Sequence, residues 1–412
     1  MWGGGARSQN PRVTPPLAKN TKPPITGEMA ELALAASYAV MAPVGLTYAF
    51  LFLGRGVLSP FAPLWLEARG LSGVALAVAL AAPGLARLPL APLIVIGADR
   101  FRTQRTAIIL LALLCACALA LMSVVSWPWL LGLCWFVASS TSVAAQPFTD
   151  VAALEATKGR GWTYGRMRAV GSIAYAVANL AGGALVRILG PFAAIAWSFC
   201  ASLATAAAAR TLAPTLSPPL VSGPVVLTRA FWRIAAPLGL IQGAHAFFYV
   251  YATLIWRDQG LDGARIGLLW SIAVGSEILF LALAEAARRR FGDWGLLRVS
   301  AVSGVVRWAM SGSLPDFGWQ VAAQALHGLS FSTAFFAALH LLEQATPPGQ
   351  VRKAQSVCAA FAGGFCVGLL TLFCGVLRED LGTSGFFVMA AVSAVALPFL
   401  AEGRSRPESA AS

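Results

Sequence analysis

Charge is scarce in this chain. Of its 412 residues, 11% are Asp, Glu, Lys or Arg, against about a quarter in soluble domains. That excludes an ordinary soluble fold. Lysine is nearly missing, four residues against 26 arginines, and only three histidines occur. No G-x-S-x-G, H-E-x-x-H or Walker A sequence is found, so no hydrolase elbow, zinc-protease helix or nucleotide-driven pump is indicated. The reading is of a non-enzyme without cofactor or metal. Zinc-finger spacing, an RNP-type motif and a basic recognition helix are also missing, so the formal charge of +13 does not imply a nucleic-acid partner. The seven cysteines are odd in number and all lie in apolar runs. They read as small core hydrophobes, not a disulfide framework.

Apolar sequence is abundant at 58%. At ~20 residues per crossing, the length accommodates about twelve spans with short loops. The expected spans are 43–66, 72–98, 106–125, 128–154, 165–187, 190–210, 231–257, 264–287, 295–313, 317–343, 352–377 and 383–401. Residues 31–42 are apolar too, and Pro43 is expected to divide them from the first span as a short interfacial helix. Residues 1–29 read as a disordered basic tail, not a signal peptide. The expected organisation is an N-terminal six-helix bundle over 30–210, a Pro-rich linker over 211–230, a C-terminal six-helix bundle over 231–402 and a short tail over 403–412.

Basic residues fix an expected orientation. With both termini cytoplasmic, 22 Lys and Arg fall on the inner side and five (Arg69, Arg187, Arg257, Arg265, Arg378) on the outer side. Trp65, Trp127, Trp129, Trp256 and Trp319 are expected as outer-interface anchors, and Trp162, Trp232 and Trp294 as inner ones. The excess of arginine over lysine hints at a GC-rich bacterial genome, and the expected location is a bacterial inner membrane.

The two halves echo each other. Gly70-Leu71-Ser72-Gly73 recurs as Gly260-Leu261-Asp262-Gly263, Phe101 recurs as Phe291, and Arg87 corresponds to Glu277, all at an offset of 190 residues. With six spans per half, both enter from one side and form parallel repeats about an axis normal to the membrane.

Ionisable residues inside the spans stand out, because a charge at mid-bilayer costs ~2.5 kcal/mol or more. Glu277, Arg307 and His327 fall on three consecutive spans at similar depth, counted at about 1.5 Å per residue. They suggest a proton-coupling group in which Glu277 alternates between pairing with Arg307 and protonation, or else a neutralised cluster that fixes helix register. Arg55 and Arg87 lie near mid-depth in the first half and suggest an anionic substrate, although Arg55 could instead snorkel to an interface. Gln242 and His245 share a helical face with Tyr249 one turn on, a face suited to hydrogen bonding a ligand, or to a satisfied core histidine. Asp150 near the inner end of span four, with Arg166 and Arg168 at the start of span five, suggests a cytoplasmic gate; topology charge is the alternative for the two arginines. Asp99 and Arg100 join the gating candidates.

Several stretches resemble the phenylpropionate-transporter branch of the major facilitator superfamily, related to lactose permease. They are Gln146-Pro147-Phe148-Thr149-Asp150, Tyr164-Gly165-Arg166-Met167-Arg168-Ala169-Val170-Gly171-Ser172, Gln242-Gly243-Ala244-His245, Gly267-Leu268-Leu269-Trp270-Ser271, Gly304-Val305-Val306-Arg307-Trp308 and Gln324-Ala325-Leu326-His327. The resemblance covers most of the chain. It implies proton symport of an aromatic or other small organic acid, with Glu277, Arg307 and His327 matching the permease's Glu, Arg and His on spans eight to ten. Ser330 stands where the permease carries a further carboxylate. The basic loop motif of the superfamily survives as Asp99-Arg100 with Arg105, and Val95 replaces its usual glycine. Arg55 occupies a position where an aromatic residue is expected.

The combined expectation is an all-α membrane protein of twelve helices in two pseudo-symmetric bundles. It moves a small organic solute together with a proton by alternating access, as a monomer in the bilayer. A nucleoside or sugar symporter, or a non-transporting sensor on the same fold, are the alternatives.

Overall fold

A computed structural model describes residues 27–100, 103–158, 162–214, 227–313, 316–347 and 349–401, with side chains described outside 27–37 and 90–100. The basic tail, the middle of the expected linker, the last residues of the chain and the side chains of Asp99 and Arg100 lie outside this set.

The described residues are helical throughout: α1 Gly27–Ala68, α2 Gly73–Arg100, α3 Gln104–Val124, α4 Pro128–Thr157, α5 Tyr164–Leu189, α6 Phe192–Ala209, α7 Arg229–Gly243, α8 Ala246–Asp258, α9 Gly263–Ser313, α10 Phe317–Ala325, α11 Thr333–Ala345, α12 Val351–Ala360, α13 Val367–Leu381 and α14 Gly385–Ala401. Nine of the described segments are long and apolar enough to cross a membrane. Two of these, Gly263–Ser313 and Val351–Ala401, are 51 residues long. Each contains a reversal, at Gly292 (φ 67°) and at Gly382–Ser384, and so makes two crossings. With the shorter apolar segment Gly73–Pro89 of α2, the expected twelve are accounted for. Pro43 does not end α1, because a proline ring removes one hydrogen bond but leaves neighbouring turns intact.

The internal repeat extends to the backbone. Gly70 and Gly260 both have positive φ, 94° and 86°. Leu71 N–H donates to Leu66 O at 3.0 Å, and Leu261 N–H donates to Trp256 O at 2.9 Å. These are the same glycine-terminated helix end 190 residues apart.

Residues from Val40 onward pack around three cores. One, near the face at which α14 ends at Ala401, called the tail-bearing face for the chain order alone, holds Tyr48, Phe52, Ile108 and Met167 from the first half. Its counterpart at the same face holds Phe231, Leu238, Leu297 and Leu341 from the second. The third lies toward the opposite face and mixes both halves, uniting Phe61, Leu119 and Trp135 with Phe248, Trp256 and Phe386. The halves are thus fused at the face away from the tails and remain separate cores at the tail-bearing face.

Backbone contact makes that fusion tight. A Cβ on Gly183 of α5 would lie 2.3 Å from Gly263 O, and one on Gly267 of α9 would lie 2.3 Å from Asn179 O. Such approach requires glycine on both helices. Ion pairs cross the same seam. Arg257 pairs with Glu67 and Arg187 Nη1 lies 3.9 Å from Asp262, while Arg378 Nη2, 2.6 Å from Asp258, adds a pair within the second half beside them. These groups are partly exposed, so each pair contributes about 0–1 kcal/mol. Apolar burial and helix contact carry the closure, and the pairs fix its register.

Trp127, Trp129, Trp319 and Trp232 are exposed as anchors should be, Trp127 at 64%. Trp256 differs: it is 1% exposed and donates through Nε1 to Gln320 Oε1 at 3.2 Å. Depth along the helix was legible in the sequence, but the face of the helix that reaches lipid was not.

Candidate functional site

Span ten is interrupted by a π-helical segment, Gly328–Ser332, between α10 and α11. Such a segment carries one extra residue per turn and commonly marks a functional position. Here it docks against α9. Gly328 N–H donates to Ser276 Oγ at 2.8 Å, and a Cβ on Gly328 would lie 2.2 Å from Ser276 O. This contact holds His327 beside Glu277. His327 Nε2 lies 3.0 Å from Glu277 Oε1, and Ser332 Oγ donates to Glu277 Oε2 at 3.3 Å. His327 is buried at 4% exposure while Glu277 keeps 27%, so the carboxyl is the accessible member of the pair. Gly328→Ala is expected to force spans eight and ten apart, lowering the melting temperature in detergent and weakening any function that needs the His327–Glu277 contact. Gly275→Ala, where an added Cβ meets nothing within 4 Å, is expected to change neither; equal effects in both variants would argue against a positioning role for the π segment.

Arg307 on α9 is fully buried. In this structure it is not the ion-pair partner expected for Glu277. Its guanidinium donates to Ala323 O at 3.1 Å, to Gln324 Oε1 at 2.8 Å and to Ser330 Oγ at 3.4 Å. It also lies 4.5 Å from the Phe248 ring centre and 4.2 Å from that of Trp308. Neutral acceptors and two aromatic faces therefore satisfy a delocalised cation that an ammonium group could not match. The carboxyl remains close enough for the charge of Arg307 to act on it without contact.

Gln242 and His245 sit where α7 gives way to α8, and both are buried. Gln242 Nε2 donates to Phe331 O at 3.3 Å; His245 Nδ1 lies 3.0 Å from Ile241 O and Nε2 lies 3.5 Å from Ser330 Oγ. In this state both polar groups are used inside the second half. Tyr249 is only part-buried, stacks on His245 with centroids 5.9 Å apart, and shares the field of Glu277 with Tyr175 of α5.

The first half supplies the facing charges. Arg55 Nη1 donates to Gln146 Oε1 at 2.6 Å, and its guanidinium carbon lies 5.1 Å from the Phe52 ring centre. Arg87 is exposed and faces the second half, since a Cβ on Gly364 would come within 3.1 Å of its Cδ. Asp150 accepts a hydrogen bond from Tyr48 at 2.5 Å. Arg168 rests on Phe52 at 4.5 Å and donates to Ser172 Oγ at 3.4 Å; Arg166 is exposed. Asp150 and Arg168 therefore do not form the ion pair expected of a gate. The cross-half ion pairs lie instead at the opposite face, and the sequence reading had placed no gate there. Ser332 and Tyr175 were likewise missed, and Gln146 stood in a resemblance stretch without a role. Ser332 is five residues from His327, a spacing that shares a face only because of the π segment.

Apolar helices making twelve crossings among the described residues, in two repeated halves with ionisable groups at mid-depth, are the architecture of a multi-pass membrane protein. Residues 43–389 match the MFS_1 like family, and the chain belongs to it, as a major facilitator transporter of the phenylpropionate-transporter-like branch. It is 30% identical over 367 residues to a probable 3-phenylpropionic acid transporter of Escherichia coli, covering 86% of this chain and 95% of that protein. It is 28% identical over 347 residues to a maltose permease of Geobacillus stearothermophilus, covering 81% and 86%. The crystal structure of the nucleoside transporter NupG superposes with a TM-score of 0.74 at 16% identity, covering 89% of this chain and all of that one, a likeness of fold alone.

Proposed function

We propose that the protein is a proton-coupled symporter of a small organic acid, aromatic in character, working by alternating access in a bacterial inner membrane with both termini cytoplasmic. The observation that carries this reading is the division of charge across the interface between halves. Glu277, held by His327 and Ser332 yet still accessible, is the proton-carrying group; Arg55 and Arg87 have no carboxylate partner among the described residues. A substrate carboxylate would complete those two guanidiniums. Tyr175 provides flat apolar surface beside Arg55, and Tyr249 does so beside Glu277. The seam closed away from the tails then corresponds to an inward-open state of a monomer, with Asp150, Arg166 and Arg168 near its cytoplasmic mouth, and with Asp99 and Arg100 retained as gating candidates. The relative described as a probable 3-phenylpropionic acid transporter supports the class of substrate.

The test is uptake of 3-phenylpropionate into proteoliposomes under an imposed pH gradient, with its amide, maltose and a nucleoside alongside. Accumulation of the acid alone is expected. Arg87→Gln should weaken binding of the acid by about tenfold or more, since a charge-assisted hydrogen bond contributes roughly 1.5–3 kcal/mol, and should leave weak amide binding unchanged. Equal losses for acid and amide would assign Arg87 to structure and the substrate to a neutral class.

A further inference from the structure

The cations of the first half exceed what one carboxylate can satisfy. Arg55 on α1 and Arg168 on α5 come from different helices, yet both guanidiniums rest on the single ring of Phe52, at 5.1 Å and 4.5 Å from its centre. The hydrogen bonds of Arg55 and Arg168 go to neutral partners, Gln146 at 2.6 Å and Ser172 at 3.4 Å. Arg87 lies near enough for its charge to act on Arg55. None of the ion pairs among the described residues includes any of the three. Asp150, the acid that the first half places here, is engaged by the Tyr48 hydroxyl, and Glu277, whose carboxyl also feels the charge of Arg168, comes from the second half. Three cations thus stand against one anion in the first half. In the second half Arg307 stands against Glu277, one for one, and each is satisfied by its own partners.

Like charges gathered in a region that must be occluded from water repel more strongly as the dielectric falls. A cation–π contact contributes only about 0.5–2 kcal/mol and cannot offset that repulsion for two guanidiniums on one ring. A monocarboxylate removes one of the two surplus charges. A dianion removes both. We propose that the substrate is a dicarboxylate with an aromatic or similarly flat spacer, one acid group taken by Arg55 with Arg87 and the other by Arg168, the spacer lying along Phe52 and Tyr175. This rests on the organic-acid reading and narrows it. The two rings are already in edge contact, centroids 6.5 Å apart. Because the two guanidinium carbons lie 5.1 Å and 4.5 Å from one ring centre, they are less than about 10 Å apart, a span that a benzene ring carrying two acid-bearing substituents can bridge.

The experiment compares 3-phenylpropionate with 3-(4-carboxyphenyl)propionate by isothermal titration on purified full-length protein, with uptake into proteoliposomes in parallel. The diacid should bind at least tenfold tighter. Arg168→Gln should bring the diacid down to the affinity of the monoacid, so that the ratio of the two affinities falls to about one. Arg168→Lys keeps the charge, should retain most of the preference for the diacid, and reports on folding if the Gln variant melts early. Equal binding of the two acids by the native protein, or a diacid preference that survives Arg168→Gln in folded protein, overturns the dicarboxylate assignment and leaves organic-acid transport standing. Binding of neither acid, with uptake of maltose or a nucleoside instead, overturns both.

Discussion

Glu277→Gln is expected to abolish accumulation of substrate against its gradient while leaving exchange across the membrane. The carboxyl accepts from Ser332 and faces His327 Nε2 at 3.0 Å. A glutamine of the same shape keeps a carbonyl acceptor for Ser332 but cannot ionise, so it stands for the permanently protonated state. Coupling requires that the proton leave on one side. A group that never releases it allows the loaded carrier to reorient in both directions and takes the pH gradient out of the cycle. Reconstituted variant protein should show counterflow at near-native rates and no response of net uptake to an imposed pH difference. His327→Ala should be milder, because it removes a partner of the carboxyl without removing the titratable group. A Glu277→Gln protein that still concentrates substrate when driven by a pH gradient would assign the proton to another group, with His327 and Asp150 the remaining candidates in the described membrane interior.

Gly183→Leu is expected to hold the face away from the tails open. The built Cβ at that position already lies 2.3 Å from Gly263 O and 2.9 Å from Gly267 Cα, and neither backbone atom can turn aside as a flexible side chain would. Overpacking of this kind costs about 1–3 kcal/mol, and every 1.4 kcal/mol shifts a two-state equilibrium roughly tenfold. Spin labels on the exposed residues Leu189 and Arg265, on α5 and α9, should report a longer distance in the variant than in the native protein, and transport should fall by an order of magnitude or more. Glu67→Gln removes one partner of the partly exposed pair with Arg257 and should shift the distance distribution only slightly. An unchanged distance in Gly183→Leu would mean that α5 and α9 do not have to touch for this face to close.

Much of the fold was legible in the sequence because the signals that carry it are local. Apolar run length, set against the thickness of a bilayer, marked the crossings. The Gly-Leu-Ser-Gly and Gly-Leu-Asp-Gly repeat marked equivalent places in the two halves, and in the structure both leading glycines close a helix with positive φ. Intramembrane Glu277, Arg307 and His327 were conspicuous because each is costly to place there without a reason.

Neighbourhood was decided by tertiary structure alone. The sequence put Glu277, Arg307 and His327 at one depth, but only the docking of Gly328 on the Ser276–Glu277 backbone selects His327 as the contact of the carboxyl and leaves Arg307 to Gln324, Ser330 and two aromatic rings. One extra residue in a helix turns everything beyond it by about 100°, so faces counted along an uninterrupted helix cannot anticipate Ser332 beside Glu277. The same ignorance of facing surfaces left Gln242 and His245 open between a ligand face and the core, where the structure engages both inside the second half, and made Trp256 look like a lipid anchor when it is core. The seam pairs Glu67–Arg257 and Arg187–Asp262 join residues 190 and 75 positions apart. Hydropathy and charge are properties of each segment and sum along the chain, so the sequence determined the membrane class, the crossings and the repeat. Contacts between segments depend on how two rigid halves meet, and that is set by the small residues that let α5 and α9 touch and by the break in span ten, neither of which acts until the chain has folded.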